Sequence, residues 1–145
     1  MPRVRIVVAG VVLAWLAALS LYDLRERRLP NVLTLPGAGV IQLAAAVAGR
    51  GLPALAGAAA LAGMYLLVHL VSPAGMGAGD VKLAIGLGGL TGCFGAEVWF
   101  LAALAAPLLT ALCGVFAVPR RAALVVPHGP SMCLASAAAV ALAAF

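Results

Sequence analysis

Charged residues are scarce in this chain, and acidic residues are the scarcest of them. Only 9% of its 145 residues are charged, with four Asp or Glu against nine Lys or Arg. Ordinary soluble domains are about a quarter charged, so this composition and a mean hydropathy of +1.19 exclude a water-soluble globular domain. Asp23 and Asp80 are the only two aspartates, and they stand out against the apolar background.

Cysteine is also sparse and lacks the spacing of a metal site or a disulfide framework. Cys93, Cys113 and Cys133 lie among apolar residues and form no CxxC pair. Metal sites need clustered ligands, and disulfide frameworks belong to small secreted domains. We therefore interpret the cysteines as buried small apolar residues, and we predict neither a metal nor a cofactor.

The net charge of +5 does not indicate a nucleic-acid partner. The arginines form short clusters that flank apolar runs, and no long basic face exists. Basic residues at the ends of membrane spans are explained by topology and by anionic lipid headgroups. The partners predicted from charge are therefore membrane lipids.

Apolar residues form six runs, and a membrane span needs about 20 such residues. The runs cover about 4–22, 32–48, 52–72, 81–91, 98–118 and 122–145. No room is left for a soluble domain, so we predict one all-α domain over residues 1–145, a bundle of about six transmembrane helices. The fourth run is short and rich in glycine, which suggests a mobile wall of the bundle.

The distribution of Lys and Arg predicts which side of the membrane each connector faces. With six spans, connectors 23–31, 73–80 and 119–121 share one side. Six basic residues lie at that side and three at the other: Arg25, Arg27, Arg28, Lys82, Arg120 and Arg121 against Arg3, Arg5 and Arg50. An excess of Lys and Arg marks the cytoplasmic face. Asp23 and Asp80 are therefore expected together at the cytoplasmic surface of the membrane.

Two carboxyl groups at that surface suggest acid–base chemistry. A buried aspartate costs several kcal/mol unless it is paired or neutralised. Two neighbouring carboxyls share one proton, so the charged member takes a proton from water while the neutral member hydrogen-bonds a scissile carbonyl. Without further information, Asp23 could equally be a simple helix-end residue, and the segment around Asp80 an ordinary interhelical turn.

Glycines 77 and 79 precede the second aspartate. Gly77 and Gly79 are free to adopt backbone angles closed to other residues, and to let a substrate main chain approach closely. We therefore predict that they break the helix and bind substrate. Lys82 is interpreted as a snorkelling residue, with a role in tuning the acid pair as the alternative.

Three motifs together resemble the prepilin leader peptidases, membrane aspartic proteases with a Gly-x-Gly-Asp motif. The motif reads Gly77-Ala78-Gly79-Asp80, followed by Val81-Lys82. An upstream aspartate ends the first apolar run, and Pro30-Asn31 opens the next. Pro127-His128-Gly129-Pro130 is similar to the Pro-x-Gly segment of the last helix, where His128 replaces an aromatic residue and is given no catalytic role.

The resemblance implies that Asp23 and Asp80 are the catalytic pair of an inner-membrane endopeptidase. Its substrates would be pilin or pseudopilin precursors, cleaved after a glycine at the cytoplasmic face. The lack of CxxC motifs implies the short, peptidase-only form that serves tight-adherence (Flp) pili, without N-methyltransferase activity or S-adenosylmethionine. The alternatives are a small proton- or cation-coupled transporter and a noncatalytic pilus assembly protein.

Overall fold

The computed structural model describes residues 2–74, 76–117 and 127–144, and these residues form helices joined by short connections. The predicted all-α class and the number of helices are confirmed, and no strand occurs in these three ranges. The helices are α1 (Pro2–Glu26), α2 (Asn31–Val47), α3 (Gly51–Val71), α4 (Ala78–Gly92), α5 (Ala96–Ala117) and α6 (Gly129–Ala144).

Helices α1, α3 and α5 are each long and apolar enough to cross a membrane. Helices α2 and α6 are apolar but have 17 and 16 residues, and α4 has 15. At 1.5 Å per residue α4 is about 22 Å long, shorter than the roughly 30 Å hydrocarbon layer. The outward faces of the long helices carry exposed apolar side chains, such as Val7, Leu67 and Leu108. The chain is therefore a membrane protein.

Contacts between helices show which of their ends lie together. Lys82 near the start of α4 bonds to Asn31 at the start of α2, so these two helices run parallel. Gly88, late in α4, lies against Gly57, early in α3, so these two run antiparallel. The ends of α1, α3 and α5 therefore share one face with the starts of α2, α4 and α6, as the count of spans predicted.

Helix α4 lies at the centre of the bundle. It contacts α2, α3, α5 and α6, and Leu83, Ala84 and Leu87 have no exposed surface. The structure therefore places this short span at the centre of the bundle, whereas the sequence suggested a wall. Several of its glycines lie in close contact with neighbouring helices.

A seam of glycines joins α3 to α4. A Cβ atom at Gly57 would overlap the carbonyl oxygen of Gly88, and one at Gly92 would lie 2.8 Å from the carbonyl oxygen of Pro53. Both contacts are too close for a residue with a side chain, so only glycine fits at these two positions. Small residues at a helix interface let backbones approach closely, which is a main source of helix association in membranes. Trp99 closes the seam by donating its indole N–H to the Gly57 carbonyl at 3.0 Å.

Cysteine burial differs from the sequence interpretation. Cys133 on α6 is buried, Cys93 is half-buried, and Cys113 on α5 is exposed. The prediction of a buried apolar role is therefore right for Cys133 and wrong for Cys113, whose face of α5 points outward with its other exposed apolar side chains.

Candidate active site

Asp23 lies in the last turns of α1 and is 7% exposed. Its Oδ2 accepts a hydrogen bond from the backbone N–H of Gly129 at 3.0 Å, across 106 residues of sequence. Gly129 is the first residue of α6, where backbone N–H groups have no partner within the helix and the helix dipole favours negative charge. The Asp23 carboxylate therefore provides the hydrogen-bond acceptor and the negative charge that stabilise the start of α6.

Gly129 is required by the closeness of this contact. A Cβ atom at position 129 would overlap Oδ2 of Asp23 and would lie 3.1 Å from its Cγ. Any side chain would therefore push the carboxyl group away from the start of α6. Pro130 follows, in the first turn, where the absence of a backbone N–H costs nothing.

Asp80 lies in the first turn of α4 and is half-buried. Gly77 caps this helix, and its carbonyl accepts the backbone N–H of Asp80 at 3.1 Å. The acidic side chain therefore lies at the positive end of the α4 dipole, which favours its charged form. The sequence placed both aspartates in connectors, whereas the structure places both within helices, one at an end and one at a start.

The fold brings the two acids together at one end of the bundle. Each lies within electrostatic range of the other, and Cys133 of α6 lies within range of both. Neither aspartate forms an ion pair with a described residue. Two neighbouring carboxyl groups are suited to sharing a proton. No group of three or more His, Cys, Asp and Glu side chains among the described residues could hold a metal ion.

Gly77 and Gly79 do not use backbone angles closed to other residues. Gly77 has φ −72° and ψ 148°, an extended conformation that any residue adopts, and Gly79 lies inside α4. The predicted special backbone angles are therefore wrong at both positions, whereas the predicted helix break is confirmed at Gly77, which lies in the connection before α4, and is wrong at Gly79. A Cβ at Gly79 would lie 3.3 Å from Cβ of Leu29, so this glycine lets the α1–α2 connection pack against α4. The space at Gly77 is open except for Oδ2 of Asp80, 3.7 Å from where a Cβ would be.

Lys82 does not pair with Asp80. Its Nζ donates to Oδ1 of Asn31 at 2.8 Å, in an exposed position. The lysine therefore links the starts of α4 and α2. In the connection that precedes α4, the carbonyl of Met76 accepts a hydrogen bond from Nδ1 of His69 near the end of α3. This bond fixes the connection between α3 and α4.

His128 is bonded through both ring nitrogens. Its Nε2 lies 2.8 Å from the hydroxyl of Tyr65 on α3, and its Nδ1 lies 2.6 Å from the hydroxyl of Thr110 on α5. Sequence reasoning gave His128 no role and did not single out Tyr65 or Thr110. The local signal was the Pro-His-Gly-Pro segment, but the sequence does not reveal partners 63 and 18 residues away.

One of three comparisons with known proteins gave a match. Searches of curated proteins and of solved structures gave no match. A family model described as the type IV leader peptidase family matches residues 10–145, which include both aspartates, Gly77, Gly79 and Gly129. The match covers most of the chain and identifies it as a peptidase, and thus a hydrolase that acts on a protein substrate. The chain therefore belongs to the type IV leader peptidase family.

Proposed function

We propose that the protein is an aspartic endopeptidase of the bacterial inner membrane that removes the basic leader of type IV prepilin-like precursors. Asp23 and Asp80 are the catalytic pair, and cleavage follows a glycine at the cytoplasmic face. The observation that supports the proposal is the placement of these two acids, 57 positions apart in sequence, at the same end of the bundle and within range of each other's charge, in a chain of this family.

The contacts of the two acids suggest their roles. A hydrogen bond to a charged group favours the charged form, and Asp23 has such a bond from Gly129. The α4 dipole also favours a charged Asp80, but a helix dipole contributes less than a direct hydrogen bond to a charged group. We therefore assign Asp23 as the base that takes a proton from water as the water oxygen bonds to the scissile carbonyl carbon. Asp80 carries the shared proton and donates it to the carbonyl oxygen. Collapse of the resulting diol breaks the C–N bond, and a proton passes to the departing amine.

Gly77 is the better candidate of the two glycines for contact with substrate. The space around its backbone is open beside the Asp80 carboxyl group, so an extended peptide could lie along it. Gly79 faces Leu29 instead and acts by packing. The proposed substrate-binding role therefore rests on Gly77, and Gly79 supports the position of Asp80.

The basic residues around the acids support the proposed cytoplasmic placement. Arg25, Arg27 and Arg28 follow Asp23, and Lys82 follows Asp80. Membrane-impermeant thiol labelling tests this placement in a chain from which the three native cysteines have been removed. A cysteine at Glu26 should be protected in intact cells and labelled after lysis, whereas one at Gly49 should be labelled in both. The reverse pattern would contradict the proposed orientation.

The activity is tested by processing of a synthetic precursor in proteoliposomes. The precursor contains a short basic leader, a glycine and a hydrophobic helix, and mass spectrometry locates the cleaved bond. Asp23→Asn and Asp80→Asn should each abolish cleavage, while Glu97→Gln, an exposed acid at the start of α5 on the opposite face, should cleave normally. Normal cleavage by either aspartate variant would show that the pair is not catalytic.

The same spectra test the peptidase-only proposal. Incubation with S-adenosylmethionine should leave the new amino terminus without an added methyl group. A methylated product would show that this chain carries a second activity.

A further inference from the structure

His128 connects three helices at the edge of the candidate site. It immediately precedes α6, and its ring lies between Tyr65 of α3 and Thr110 of α5. Its ring also lies 5.5 Å from the Tyr65 ring, centroid to centroid. Tyr65 is buried, and His128 and Thr110 are half-buried. An imidazole bonded on both nitrogens in such surroundings is held in one orientation.

The contacts of both ring nitrogens fit a neutral imidazole, which has one N–H donor and one unprotonated acceptor nitrogen. The Thr110 hydroxyl also lies 3.2 Å from the Ala106 carbonyl, a group to which helical threonines commonly donate. In that arrangement Nδ1 donates to Thr110 and Nε2 accepts the Tyr65 hydroxyl. Burial lowers the pKa of His128, which agrees with a neutral ring.

The orientation of His128 sets the direction of the peptide that binds Asp23. The carbonyl of His128 accepts the N–H of Met132 at 3.0 Å, which begins α6. The N–H of Gly129 belongs to the same peptide unit and points to Asp23. A peptide unit is planar and rigid, so fixing its carbonyl and the preceding side chain also fixes its N–H.

We infer that His128 is a positioning residue: tied to Tyr65 and Thr110, it holds the His128–Gly129 peptide so that the Gly129 N–H is donated to Asp23. The inference rests on the proposed function, since it gives the network a role through a catalytic carboxyl group. Among the described residues, no hydrogen bond joins the side chains of Tyr65, His128 or Thr110 to either aspartate. Its loss should therefore alter how readily Asp23 ionises.

Two substitutions at Thr110 separate hydrogen bonding from packing. Thr110→Val keeps the shape of the side chain and removes the hydroxyl, whereas Thr110→Ser keeps the hydroxyl and removes a methyl group. A packing role predicts that serine is the more harmful change, because it leaves a void. The positioning role predicts the opposite order. Tyr65→Phe removes the other bond and should behave like Thr110→Val.

The readout is the pH dependence of kcat/KM for precursor cleavage in proteoliposomes. Its acid limb reports ionisation of the base in the free enzyme. Hydrogen bonds to charged groups contribute enough to shift ionisation by about one pH unit when they are weakened. We expect Thr110→Val and Tyr65→Phe to move the acid limb upward by about that amount. Thr110→Ser should keep the limb of the unmodified protein.

The other groups that act on the Asp23 carboxyl are unchanged in these variants. Asp80 faces it from α4 and Cys133 from α6. A shift common to Thr110→Val and Tyr65→Phe therefore reports the network. Thr91→Val is a matched control, because Thr91 is buried in α4 and bonds to the Leu87 carbonyl at 2.8 Å, away from the acids. It should leave the profile in place.

The outcomes distinguish the inference from the proposed function. If Asp23→Asn abolishes cleavage and Thr110→Val keeps the unmodified profile, the positioning role is wrong and the catalytic pair stands. A greater loss in Thr110→Ser than in Thr110→Val would also overturn it, in favour of packing. If Asp23→Asn cleaves normally, the proposed function itself fails.

Discussion

Substitution of Gly129 by alanine tests the contact between α1 and α6 most directly. The added Cβ would overlap Oδ2 of Asp23, so the carboxyl group must move away from the start of α6. Its hydrogen bond to the backbone N–H, now 3.0 Å long, would then be lost. The change adds one methyl group and removes no functional group.

The magnitude follows from the kind of bond that is lost. A hydrogen bond to a charged group contributes about 1.5–3 kcal/mol, and every 1.4 kcal/mol is about tenfold in rate or affinity. If Asp23 is the base, Gly129→Ala should therefore lower kcat/KM for precursor cleavage by about 10- to 100-fold. The displaced carboxyl and the orphaned N–H should also destabilise the fold by about 1–3 kcal/mol.

The assay is precursor cleavage in proteoliposomes, together with thermal unfolding in detergent. Gly63→Ala is the matched control, because Gly63 lies within α3 and no atom lies within 4 Å of an added Cβ. Alanine there should leave cleavage unchanged and should raise helix stability by up to about 1 kcal/mol. Cleavage by Gly129→Ala at the rate of the unmodified protein would refute the reasoning, because the carboxyl position would then not matter.

Three further predictions concern packing, charge and pH. Gly88→Ala should lower the unfolding temperature, because the added Cβ would lie 2.5 Å from the Gly57 carbonyl oxygen and overpacking costs about 1–3 kcal/mol. Gly39→Ala is the control and should not lower it, because the space around Gly39 is open. Lys82→Met should change precursor cleavage less than about threefold, because exposed polar contacts contribute little and this lysine bonds to Asn31; a large loss would restore its role in tuning the acids. Burial lowers the pKa of His128. Below about pH 6.5 the unfolded chain therefore binds a proton that the folded chain does not, and the stability of the fold decreases as the pH is lowered. His128→Phe should show a weaker fall in unfolding temperature on acidification, and an equal fall would contradict this.

The helices could be predicted from the sequence because the membrane imposes length and polarity together. Long apolar runs, ended by arginines, prolines or glycines, gave six helices whose observed bounds lie close to the predicted ones for α1, α2, α3 and α5. Parity then placed the end of α1 and the start of α4 on one face without any knowledge of packing. The start of the last helix was predicted about seven residues early, and residues 118–126 lie outside the described part of the chain.

The glycines were misread because composition does not separate flexibility from close contact. The glycine-rich run 81–91 suggested a mobile wall, yet Gly88 within it packs against the α3 backbone. Gly77 was expected to need an unusual backbone angle, yet its conformation is ordinary. Within the part of the chain that the structure describes, the glycines with positive φ are Gly49 and Gly95, on the face opposite the acids. Only the position of the neighbouring helix decides which use a glycine has.

The contact of Gly129 with Asp23 and the bonds of His128 were beyond the reach of sequence reasoning. Hydrophobic periodicity says which face of a helix is buried, but not which polar atoms meet there. Asp23 and Gly129 are 106 residues apart, and no local rule joins them. Such polar contacts are specified by the packing of α3, α5 and α6 around the site.

The glycine seam between α3 and α4 has an evolutionary consequence. Where two side chains meet in a core, enlarging one is commonly offset by trimming the other. At Gly57 and Gly88 neither partner has anything left to trim, so a larger residue would force the two helices apart. Asp80 is carried on α4, roughly 12 Å along the helix from Gly88 at 1.5 Å per residue, and would be displaced with it. Substitutions of neighbouring residues should therefore not restore function to a variant with a larger residue at Gly57 or Gly88. These two glycines, although remote from the acids, should evolve as slowly as the acids themselves.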